Sequence, residues 1–104
     1  MLGQIFMTMR STSSGLKTAN AQVITIPGAV CGIDLQAPST GQANLKVYDS
    51  KDSNTTGKLL LAEIFCDAGM SSVNHEFTAP VIANQGIYAE LTGTSSYIVR
   101  FTVG

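Results

Sequence analysis

The feature that most restricts this chain is a hydropathy period of two. Apolar and polar residues alternate through most of the sequence, turn residues interrupt the alternation about every eight to twelve positions, and no segment carries the i, i+3, i+4 spacing of a helix. A chain made of strands alone must close its sheets on each other to bury their apolar faces. The expected fold is therefore all-β, a seven- to eight-stranded antiparallel β-sandwich, jelly-roll-like, with an extended N-terminal arm. Its 104 residues suit one domain.

The strands are read as follows. Residues 4–10 place Ile5, Met7 and Met9 on one face and Phe6, Thr8 and Arg10 on the other, and the polar run 11–15 breaks the pattern. Residues 21–26 are rich in β-branched side chains and stop at Pro27 and Gly28. Residues 29–37 turn Cys31, Ile33, Leu35 and Ala37 inward, and residues 43–49 do the same with Leu45 and Val47. Residues 59–67 (LLLAEIFCD) are apolar on both faces, with Leu60, Ala62, Ile64 and Cys66 on one and Leu59, Leu61 and Phe65 on the other, so this strand is expected to be covered on both sides, by its own domain and by a neighbouring subunit. Residues 73–79, 86–92 and 96–103 complete the series, the last two joined through Gly93-Thr94-Ser95 in what reads as a hairpin. Residues 1–18 form an arm or crossing strand, and residues 19–104 the β-sandwich domain.

Charge is scarce. Only 12% of residues are charged, against about 25% in ordinary soluble domains, while 44% are hydrophobic. Surfaces that end inside an assembly lose charge at their centres, so an oligomer is expected. The six basic residues, Arg10, Lys17, Lys46, Lys51, Lys58 and Arg100, are scattered and the net charge is -1, which offers no footprint for a nucleic acid. No run approaches the roughly 18 consecutive apolar residues of a membrane span. Cys31 and Cys66 lie far apart in apolar stretches and read as two buried thiols, with a disulfide as the alternative.

Chemistry-bearing patterns are sparse. His75 is the single histidine; in residues 73–77 its side chain lies with Val73 and Phe77, as a hydrogen-bonded core or interface residue would, without the nucleophile and orienting group of a catalytic triad. One histidine with two distant cysteines is a poor metal set. The acidic residues of loop 49–54 miss the alternating positions of a calcium loop, and Lys51 intrudes. Phosphate-binding loops, dinucleotide turns and nucleophile elbows are missing from the sequence. Tyr48, Tyr88 and Tyr97 offer rings for stacking a sugar, with Tyr88 and Tyr97 as cross-strand neighbours in the last hairpin. No cofactor, no metal and no catalytic residue is expected, and the chain reads as one that binds or builds.

The segment from Pro80 through Asn84-Gln85-Gly86-Ile87-Tyr88 to Thr92-Gly93-Thr94 resembles the "pv…nGiyvelTGt" ending of small tailed-phage virion proteins. The likeness extends to Leu45-Lys46-Val47-Tyr48-Asp49, Thr56-Gly57 and Leu59-Leu60, similar to "kvydg…tGklL", and to the closing strand 97–103. What the resemblance implies is a β-sandwich or jelly-roll subunit of a phage particle, commonly a head decoration, with no active site. On this reading the protein is a capsid decoration (cement) protein of the virion, assembled in the host cytoplasm. Its partners are copies of itself, in a small oligomer such as a trimer, and the major capsid protein or other virion proteins, with no nucleic acid and no membrane. Ile5, Phe6, Met7 and Met9 of the arm, with Leu59, Leu61 and Phe65, are the candidate interface residues. The alternatives are a tail, collar or fibre-attachment component and, from another class, a carbohydrate-binding β-sandwich module.

Overall fold

The computed structural model describes residues 11–103. Among them are eight strands and no helix: β1 (Thr12–Ser13), β2 (Ala21–Ile24), β3 (Gly28–Leu35), β4 (Gln42–Asp49), β5 (Leu59–Asp67), β6 (Val73–Ala83), β7 (Ile87–Thr92) and β8 (Tyr97–Val103). They form two four-stranded antiparallel sheets, ordered β1-β8-β3-β6 and β2-β7-β4-β5. The all-β expectation holds, at the upper strand number.

Pairing follows one rule. β1 pairs with β8, β2 with β7, β3 with β6 and β4 with β5. The chain is thus one long hairpin bent at the loop 50–58, then wound so that β8 also meets β3 and β7 also meets β4. The β4–β5 connection alone stays within a sheet; every other one crosses between sheets. The expected β7–β8 hairpin is therefore a crossover, because a short turn reports a chain reversal and not which sheet the chain re-enters. Gly93 makes that crossover at φ +93°, and a Cβ there would lie 2.6 Å from the Gln42 carbonyl oxygen.

Alternation delivers the core. Ile33 and Leu35 of β3, Leu45 and Val47 of β4, Cys66 of β5, Ile87 and Ala89 of β7, and Tyr97 and Val99 of β8 are buried between the sheets. The pattern departs from strict period two at two bulges. In β3, Val30 opposes Phe101 and Gly32 opposes Arg100, so Cys31 is the extra residue and Val30 takes the inward place expected for Cys31. In β5, Val47 opposes Ala62 and Tyr48 opposes Leu60, which leaves Leu61 unpaired and packed against the core. β6 extends to Ala83, past the expected end at residue 79, because an edge strand tolerates Pro80, which has no N–H to donate.

One end of the paired sheets is tied by a buried carboxylate. Asp49, 6% exposed, accepts the backbone N–H of Asn84 through Oδ2 (2.9 Å) and those of Gln85 and Gly86 through Oδ1 (2.8 and 3.3 Å). Burial pushes its pKa up, but the three N–H donors and the nearby Lys58 outweigh it and hold the carboxyl below its ordinary 3.8. Beside it, Gln22 Nε2 lies 2.8, 2.9 and 3.1 Å from the carbonyl oxygens of Ile24, Ser50 and Ile87. A Cβ on Gly86 would lie 2.7 Å from Ile24 O and 2.8 Å from Ser50 O, so only glycine passes between these strands.

Asp49→Ala is expected to lower unfolding stability by about 2 kcal/mol, since the buried N–H of Gly86 and the part-buried ones of Asn84 and Gln85 lose a charged acceptor. A folded-state pKa below the unfolded value contributes stability that is complete above about pH 3.8 and fades as pH falls through the lower, folded value. Urea titrations between pH 2 and pH 6 check both points: Asp49→Ala should show a shallower loss of stability below pH 4 than the parent.

Candidate interaction surface

The expected site residues divide by location. Ile5, Phe6, Met7 and Met9 lie outside the described residues. Leu59 and Phe65 stand on β5 with 63% and 51% of their surface exposed, joined by Leu60 at 41%, whereas Leu61 turns into the core at the bulge and is no surface contact. Within one chain β5 packs one face on the core through Ile64 and Cys66, as expected of its own domain; the other face, expected against a neighbouring subunit, is open in the single chain. Residues 12–17, within the segment read as an arm or crossing strand, run along β8: Thr12 and Ser13 pair with Phe101 and Arg100, and Lys17 bridges Tyr97.

The three tyrosines do not share a surface. Tyr97 is fully buried and donates its hydroxyl hydrogen to Ala19 O at 2.7 Å; burial first, and the neighbouring Tyr88 second, push its pKa up to about 12. Tyr88 pairs instead with Tyr48 across the β4–β7 ladder, flanked by Gln22 and Leu60 in the neighbouring strands. Tyr88 is itself 9% exposed, so the pair offers mainly Tyr48 to a ligand.

His75 is exposed on β6, its ring 4.7 Å from that of Phe77 and tilted by 58°. It shares the face of Val73 and Phe77 as expected, but an inward direction on an edge strand does not bring burial, so it is not a core histidine. On the outer face of the same sheet, the Arg100 guanidinium lies over Gly32, bonded to Glu76 and 3.4 Å from Asp34 Oδ1, which links β8, β3 and β6. Beside this cluster, Cys31, Glu76, Phe77, Thr78, Pro80, Thr102 and Ser11 line a cleft of about 360 Å³ over the β3 bulge.

Neither thiol is in a disulfide; Cys66 is buried as expected, while Cys31 is half-buried at the cleft. Among the described residues no three His, Cys, Asp or Glu side chains converge as a metal site would require. In the loop 50–58, Asp52 Oδ1 and Asn54 Oδ1 accept the N–H of Asn54 and Thr56, and Ser50 Oγ sits 2.8 and 2.9 Å from the carbonyl oxygens of Asp52 and Asn54. These are turn-forming contacts. The bulge and the edge position of β5, which determine what is exposed, have no signal in hydropathy alone.

Comparison with protein-family models, curated proteins and solved structures finds no match. The functional reading therefore stands on this chain's own residues and strand order.

Native protein is expected to react with a thiol reagent at Cys31 alone, and at Cys66 only on unfolding, because Cys66 is 1% exposed. Peptide mass mapping after a brief iodoacetamide pulse checks this; equal labelling of both cysteines in native protein would contradict the placement of Cys31 at the bulge.

Proposed function

We propose that this chain is a jelly-roll structural protein of a phage virion, most simply a capsid decoration (cement) protein that assembles on the head and stabilises subunit junctions. The observation that carries the reading is the strand order. Two sheets ordered β1-β8-β3-β6 and β2-β7-β4-β5 are what an eight-stranded hairpin rolled on itself produces, and double-sheet jelly rolls recur in viral capsid and lectin domains and in cupins. The cupin route has no support among the described residues, where no metal-ligand cluster converges. The capsid route is supported by the low charge, by the exposed apolar side chains of β5, and by the resemblance of residues 80–94 to phage virion proteins.

As a decoration protein the chain binds rather than converts. Its exposed apolar residues cover seams between capsid subunits and are themselves covered in the assembled head. The lectin-like alternative has one observation in its favour, the Tyr48–Tyr88 pair on the outer face of the β2-β7-β4-β5 sheet. A sugar stacked there would be lost in Tyr48→Ala, and a glycan array with no signal would remove this reading.

Decoration requires hundreds of copies per particle, whereas a tail, collar or fibre-attachment role requires only a few. Quantitative mass spectrometry of purified particles, normalised to the major capsid protein, decides between them. A copy number in single figures would exclude head decoration, and absence from particles would exclude the virion reading altogether.

A further inference from the structure

The two sheets have four edges, and three of them are guarded. β1 has two residues and β2 four. β6 carries Pro80 and a register break in which Glu76 and Val81 oppose Gly32 and Val30, so the residues between them leave the ladder. β5 carries only the one-residue bulge at Leu61: it runs nine residues without proline or glycine, pairs with β4 without a break from Ala62 to Asp67, and exposes Leu59, Leu60 and Phe65. A long, apolar, unguarded edge is a template for another strand.

We infer that the β5 edge receives residues 4–10 of a second copy of this chain as an added antiparallel strand. The segment has the right period, with Ile5, Met7 and Met9 alternating against Phe6, Thr8 and Arg10. Its charge is complementary: Arg10 is the one charged residue of 1–10, and the charges of β5 are Glu63 and Asp67. In the register that sets Arg10 opposite Glu63, Thr8 meets Phe65 and Phe6 meets Asp67 on the outer face, while Met9 and Met7 meet Ile64 and Cys66 and extend the core side. This stretch of β5 lies clear of the bulge at Leu61.

The donor must be another molecule. Thr12 pairs with Phe101 at the β1 margin, while β5 lies at the opposite margin of the molecule, against β6. Arg10 can stand no more than about 7 Å from Thr12, but four strands side by side span about 14 Å, so Arg10 cannot reach Glu63 of its own chain. Donor on one margin and acceptor on the other make a head-to-tail contact, which builds a closed ring where its rotation closes and an open filament where it does not. The inference rests only on the self-assembling half of the proposed function.

The test uses purified protein without particles. Sedimentation of the full chain should show a closed oligomer or a filament, deletion of residues 1–10 should give a folded monomer, and a labelled peptide of residues 1–11 should bind that monomer by anisotropy. Arg10→Glu and Glu63→Lys should each weaken association several-fold, and the double charge swap should restore it. A monomeric full chain, an oligomer that survives the deletion, a peptide that does not bind, or single variants that the swap fails to rescue would each overturn the inference. The last three would point to other surfaces, such as β5 against β5. None of these outcomes bears on whether the protein occurs in particles, which the copy count decides separately.

Discussion

A hairpin wound on itself joins residues that are far apart in sequence at every pair except β4–β5, so its ladders form only if the turns between sheets are held at fixed positions. Asp49 does this at one end. Its carboxylate closes the β6–β7 connection onto the end of β4 with three N–H donors, in a place where burial would otherwise favour the neutral acid. Gln22 draws the bulged end of β2 onto the same spot, and Gly86 lets the backbones approach closely enough for both. Without a fixed β6–β7 turn, neither β7 beside β4 nor β6 beside β3 has a defined register.

The other end is fastened through side chains to backbone. Tyr97 donates to Ala19 O, Ser14 Oγ accepts the Val99 N–H, and Ser95 Oγ donates to Gln36 O. Ser, Gln and Tyr thus take on work that charge pairs do elsewhere, consistent with a chain in which charged residues are few. The Arg100 cluster is the exception, and its side chains are partly exposed, so it contributes little to stability and serves to hold three strands in lateral order.

Strand existence was legible from period two because alternation is what a half-buried sheet requires. β5 matches its expected bounds, and β4 and β8 differ by one residue at one end. What alternation cannot report is topology and bulges. Cys31 was expected inward and sits at a bulge, Leu61 was expected outward and packs inside, and the Gly93 turn was expected to close a hairpin and instead changes sheets. The two misplaced residues have one origin: a bulge adds one residue and shifts the alternation of faces, at no cost in local hydropathy. The Gly93 error is topological, since a short turn marks a reversal and not the sheet that the chain enters next. His75 shows the complementary limit, since direction was legible and burial, which depends on lying at an edge, was not.

The same logic explains why the candidate surface lies at β5. A rolled hairpin leaves its first strands at one margin and its middle strands at the other, so the bend region always supplies an edge that the chain's own termini cannot cover. β6, which lies against that margin, is blunted by Pro80 and a register break four residues long, while β5 has a single bulged residue, Leu61, an unbroken ladder from Ala62 to Asp67 and exposed apolar side chains. On the proposed assembly, Pro80 and the register break protect β6 against pairing, and the unbroken stretch from Ala62 to Asp67 leaves β5 able to accept a strand.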